Sequence, residues 1–141
     1  MDTEKLLKSL ENEDNEYLLD LTTKKIRDMN KKVLHELDLT TKEMSEYLSK
    51  LKDYKYVDEV SDLKYGAYLR WISLTDPDDL DLQKGAIFCE VKVADDGLFL
   101  ICRNYGYSRK HFRLKFDENL IFQKLSEQEL ILLNVLDQLA K

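Results

Sequence analysis

Apolar positions recur at helical spacing up to about residue 55. From there to about residue 123 they fall into strand-like runs. The first stretch has no glycine and no proline; all four glycines and the single proline lie beyond it. The pattern predicts a helical segment over residues 1–54, with a sheet region and a closing helix over residues 55–141.

The helical segment contains a short repeat. Leu19-Asp20-Leu21-Thr22-Thr23-Lys24 recurs as Leu37-Asp38-Leu39-Thr40-Thr41-Lys42, an offset of 18 residues, or five turns of α-helix. The apolar positions that follow also align: Ile26 with Met44, Met29 with Tyr47, Val33 with Leu51. Two readings compete. Each copy is a connector that starts its own helix, which Thr40 and Glu43 support as a capping box in the second copy. Alternatively, one helix runs through the first copy from about Glu16 to Leu37. Lys25, where the capping acid would stand, favours the long helix. Leu19, Ile26, Met29 and Val33 would then form an apolar stripe among lysines, suited to a coiled-coil or partner-helix seam or to packing on the chain's own sheet.

From Val57 to Gln123 the chain reads as a small antiparallel sheet. Leu63–Leu74 is apolar on both faces, which predicts a long central strand with a bulge or bend at Gly66. Thr75 to Asp79, around Pro77, is a turn by composition. Ala86–Val93 and Leu98–Arg103 flank Asp95-Asp96-Gly97 as a hairpin. His111–Phe116 alternates cleanly, with Phe112, Leu114 and Phe116 on one face and His111, Arg113 and Lys115 on the other. Leu120–Gln123 is a short last strand. Ser126 and Glu129 form a capping box that opens the final helix, which is apolar on more than one face and predicts burial. The expected fold is α+β: N-terminal helices, a five-stranded antiparallel small barrel of SH3-like or OB-like type, and a C-terminal capping helix.

Three stretches carry a resemblance: Tyr54-Lys-Tyr-Val-Asp58, Asp62-Leu-Lys-Tyr-Gly-Ala-Tyr-Leu-Arg-Trp-Ile72, and Leu82-Gln-Lys-Gly-Ala-Ile-Phe88, with the ending Ile121-Phe122-Gln123-Lys124. Together they resemble small β-barrel proteins of large DNA viruses over about residues 54–133. The resemblance rests on pattern and includes no catalytic motif. It implies a virus-encoded, non-enzymatic accessory or virion-associated protein.

Charge narrows the function classes. The chain carries −6, with 35% charged and 43% apolar residues, a balance that disfavours nonspecific binding to DNA or anionic membrane. No run approaches the roughly 18 apolar residues of a membrane span. The opening MDTEKLLKSLENEDNEY lacks the apolar core of a signal peptide. The expectation is an intracellular, reduced protein, in the cytoplasm or, if viral, in the host cell or virion. Cys89 and Cys102 lack metal-ligand spacing. They face each other if the hairpin centres on Asp95-Asp96, whereas Cys102 faces Val91 if it centres on Asp96-Gly97; free thiols are expected either way.

One segment opposes the overall charge. Residues 103–115, RNYGYSRKHFRLK, hold Arg103, Arg109, Lys110, Arg113 and Lys115 and no acid, interleaved with Tyr105, Tyr107, His111 and Phe112. Cations with aromatic platforms are how barrels hold single-stranded nucleic acid; the same residues suit an acidic protein partner. They also suit a solvated edge hairpin, where Lys and Arg prevent strand-to-strand aggregation. The candidate binding residues are Arg103, Tyr105, Tyr107, Arg109, Lys110, Arg113 and Lys115. Trp71 beside Arg70 reads as a core residue before it reads as a recognition pair. His35 and His111 stand apart from any nucleophile and carboxylate grouping, so no catalytic site is expected. Asp76, Asp78, Asp79 and Asp81 crowd Pro77 without EF-hand spacing and read as a solvated turn. No cofactor or metal is expected. Docking of a protein partner or self-association is the leading reading, with nucleic-acid binding as the alternative.

Overall fold

The computed structural model describes residues 3–106 and 110–140. Its chain forms two compact units, one from Met1–Lys55 with Leu125–Lys141 and one from Tyr56–Lys124.

The first unit is helical: α1 (Thr3–Glu11), a 3-10 helix over Glu13–Leu18, α2 (Thr23–His35), α3 (Thr41–Lys50) and α4 (Glu127–Leu139). The long helix expected from Glu16 to Leu37 is not formed. Thr22 takes an extended conformation, and its hydroxyl accepts the Lys25 N–H at 3.1 Å. The first copy of the repeat is therefore an N-cap without the reciprocal acid, because a hydroxyl alone satisfies one orphan donor of the first turn. The second copy is the full box: the Thr40 hydroxyl accepts from the Glu43 N–H, and the Glu43 carboxylate accepts from the Thr40 N–H. The expected stripe changes as well. Leu19 precedes α2 and is exposed, and the buried positions of α2 are Ile26, Asn30 and Leu34. Asn30 is tolerated there because its side-chain amide donates to the Tyr54 carbonyl at 2.9 Å, as burial of a polar group requires.

α4 packs among the N-terminal elements. Gln128 Oε1 accepts from Asn12 and Asn15 (2.8 and 3.2 Å), and Asp137 accepts the Thr23 N–H and hydroxyl (2.8 and 2.6 Å). Leu133 joins Leu18, Ile26 and Leu125 in the apolar centre of this unit. The Ser126–Glu129 capping box is formed on both sides.

The strands are β1 (Tyr54–Tyr56), β2 (Tyr68–Ser73), β3 (Gln83–Ala94), β4 (Gly97–Asn104), β5 (His111–Lys115) and β6 (Asn119–Lys124). Among the described residues they form an open six-stranded antiparallel sheet in the order β1-β6-β2-β3-β4-β5. The five-stranded barrel is thus corrected: β6 returns to lie between β1 and β2, and β5 ends the sheet as an edge strand. The predicted first strand is also shorter than its apolar run. Gly66 has φ +83° and its N–H bonds the Phe88 carbonyl, so the chain turns there and β2 starts only at Tyr68. The sheet core is Leu69, Ala86, Phe88, Leu100, Cys102, Leu114 and Ile121 with Val57, and Trp71, Phe112 and Phe116 pack against it.

The β3–β4 hairpin turns on Asp95-Asp96, with Ala94 opposite Gly97. That register alone would set Cys89 against Cys102. A register shift between Phe88 and Glu90 leaves Cys89 unpaired and places Phe88 opposite Cys102, as a one-residue bulge does. Both thiols are free. Cys102 is fully buried, and desolvation, followed by the charge of Cys89, pushes its thiol up to about 12. A thiol-reactive reagent near neutral pH is therefore expected to label Cys89 in the folded protein and Cys102 only after unfolding, because the thiolate is the reactive species. Peptide mapping of the adducts checks this; equal labelling of both in the native state would contradict it. The unfolded chain loses this proton first, near the ordinary value of about 8.5. The stability contribution of Cys102 is therefore complete below that pH and lost as pH rises toward about 12, since the folded state then holds more protons than the unfolded.

Candidate functional site

The β4–β5 register decides which candidate residues share a surface. Arg103 lies opposite His111, Ile101 opposite Arg113 and Phe99 opposite Lys115. These six residues stand on one face, since alternate residues of paired strands point the same way. Leu100, Cys102, Phe112 and Leu114 lie on the other face, in or against the core. The expected division of 111–116 into core-facing apolar residues and outward polar ones holds for the strand; Phe116 has left it for a short 3-10 turn, Phe116–Glu118, yet still packs on the core.

The cations on this face differ in availability. Arg103 and Arg113 are exposed. The Arg113 guanidinium lies 4.7 Å over the centre of the Phe99 ring, a cation–π position that pre-orders the side chain. Lys115 is half-buried, its Nζ 3.5 Å from Glu118, so its charge is partly answered within the chain. Lys110 is exposed, and its carbonyl accepts the Asn104 N–H at 2.9 Å. The neighbouring strand adds Lys92 opposite Phe99 and Glu90 opposite Ile101. Tyr105 is exposed but stands edge-on to Tyr68, with ring centres 5.3 Å apart, and Lys124 lies 5.7 Å over the Tyr68 ring. Tyr107 and Arg109 lie outside the described residues.

The remaining candidates have structural surroundings. Trp71 is half-buried beside Phe112, with ring centres 5.7 Å apart. The Arg70 Nε reaches the Gln83 carbonyl at 3.4 Å. Asp76 accepts the Asp78 N–H at 3.0 Å, the short side-chain turn that stabilises such loops. Among the described residues no three His, Cys, Asp or Glu side chains are grouped so as to hold a metal ion.

A concavity elsewhere was not legible in the sequence. In the helical unit a cleft of about 570 Å³ opens between α2, α3 and α4. Its floor includes Ile26, Leu51, Leu125 and Leu133, all buried. Two of the polar groups lining it, Asn30 and Asp137, are engaged with Tyr54 and Thr23 as described above. The cleft is assembled from residues more than a hundred positions apart in the chain, so no local motif announces it. No protein-family model, curated protein or solved structure matches this chain.

Proposed function

We propose that this chain is a non-enzymatic interaction module that docks an acidic protein surface on the β3–β5 face, with Arg103 and Arg113 as its principal contacts. The observation that carries this reading is the register that brings two exposed arginines and His111 onto one face of a protein whose net charge is −6. Local charge opposite in sign to the whole steers a complementary partner while the remainder repels others. The likeness of the strand sequences in residues 54–133 to those of small β-barrel proteins of large DNA viruses, although the sheet here is open, makes an accessory or structural role in the host cell or virion part of this proposal. The helical unit is a second surface for association.

Nucleic acid is the alternative ligand, and the aromatic residues of β4 and β5 argue against it. Single-stranded binding relies on open aromatic platforms beside cations. Among the described residues, the strand aromatics are closed to stacking: Phe99 is buried beneath Arg113 and Phe112 packs on the core, while the exposed Tyr105 stands edge-on to Tyr68.

The two readings separate in one titration by fluorescence anisotropy at low salt, with labelled poly-glutamate and an oligo-thymidylate as probes. The expected result is saturable poly-glutamate binding that weakens by about tenfold or more in Arg103→Glu/Arg113→Glu, with no binding of the oligonucleotide. Oligonucleotide binding that the same double variant abolishes would transfer the site to nucleic acid. Poly-glutamate binding unchanged by the reversal would remove this face as the docking surface.

A further inference from the structure

The open edge of β5 is part of the same surface. Because the Asn104 N–H bonds the Lys110 carbonyl, Asn104 and Lys110 form a hydrogen-bonded antiparallel pair. Pairs alternate along such a ladder, so Phe112 and Leu114 direct their backbone groups at β4. His111, Arg113 and Lys115 direct theirs away, to the side where the sheet ends. Asn119 Nδ2 takes the Lys115 carbonyl at 2.8 Å. Among the described residues, no protein group bonds the N–H and C=O of His111 and Arg113 or the N–H of Lys115. A closed barrel would have paired this row.

We propose that β5 accepts an added strand: an extended segment of a partner protein in which acidic and apolar residues alternate. This rests on the reading of the β3–β5 face as the docking surface and names its occupant. Strand addition supplies main-chain hydrogen bonds for affinity, and alternate side chains supply specificity. On one face the incoming strand lies beside His111 and Arg113, where carboxylates are complementary. On the other it lies beside Phe112 and Leu114, where apolar side chains extend the sheet core. A second copy of β5 is disfavoured, because it would set cations against cations across the new pair. The edge is thus protected against itself and open to an acidic strand.

The test uses the full chain and a short labelled peptide alternating valine and aspartate. A second version carries N-methyl groups on alternate backbone nitrogens, on the edge that would face β5. The plain peptide is expected to bind. The N-methylated one should bind about tenfold or more weakly, because it keeps every charge but cannot donate to the ladder. Arg113→Glu should weaken the plain peptide comparably, with far-UV circular dichroism reporting an intact fold. Equal binding of the two peptides, with poly-glutamate still captured in an arginine-dependent way, would overturn strand addition and leave the docking reading standing. Failure of every acidic probe to bind would overturn both.

Discussion

Phe122→Ala is expected to destabilise the protein by about 3–5 kcal/mol, a large share of the roughly 5–15 kcal/mol that holds a domain folded. Phe122 lies on β6, between β1 and β2 in the sheet order, and is fully buried. Its ring meets Tyr56 of β1 with centres 5.8 Å apart. Truncation removes the largest apolar side chain of that strand and leaves a void that neighbours fixed by the β2–β6 ladder fill only in part. Arg70 and Phe122 are register partners, so the loss sits on an inner strand, one in from the sheet edge. Urea denaturation of the wild type and the variant measures the shift. A change below about 1 kcal/mol, the scale of an ordinary surface-to-moderate substitution, would mean that β6 is not packed as described. Phe122→Leu should recover part of the loss, since most of the volume returns.

The helix ends and the hairpin were legible because their causes are local. Thr40-x-x-Glu43 and Ser126-x-x-Glu129 each satisfy backbone donors within one turn, and both boxes form. Asp95-Asp96 lies between two β-rich runs and turns where expected. The period of two in His111–Lys115 assigned each side chain to its face. Closure of the sheet was not legible, because it depends on pairings between distant segments. β1 lies next to β6, more than sixty residues further along the chain, and no local periodicity encodes that choice. The bulge at Cys89 escaped for a related reason: Ala86–Val93 is apolar at positions of both parities, so two registers fit the pattern equally well. The long helix failed where a single hydroxyl at Thr22 outweighed a compatible apolar spacing. Within the candidate site, the alternation identified Arg103 and Arg113 as outward cations. Only the register revealed that Phe99 lies under Arg113 and that Lys115 is tied to Glu118.

Gln123 carries the second large effect. Its position at the end of β6 gives no hint of a role, yet it is 4% exposed. Its Oε1 accepts the Lys64 N–H at 2.7 Å and its Nε2 donates to the Asp62 carbonyl at 3.0 Å. One side-chain amide therefore substitutes for a ladder partner along a segment that is not itself a strand. The chain uses this bridge where β2 begins only after the Gly66 turn, so that residues 62–64 precede the strand. Val60 and Leu63, on the same stretch, pack against the sheet core, so the amide also holds an apolar lid in place. Gln123→Leu preserves size and apolar contact while removing both bonds. The expected loss is about 2–4 kcal/mol, because each abandoned backbone group adds an unsatisfied-donor or -acceptor penalty to the lost bond. Hydrogen exchange separates this cause from simple repacking: protection of the Lys64 amide should fall selectively, while amides in the β3–β4 hairpin keep theirs up to the new global limit. An unchanged Lys64 amide in a destabilised Gln123→Leu protein would place the cost in packing and deny the amide its bridging role. Gln123→Glu keeps the acceptor for Lys64 but cannot donate to Asp62 when ionised, and it sets a carboxylate against that carbonyl. It should therefore destabilise while leaving the Lys64 amide protected relative to Gln123→Leu.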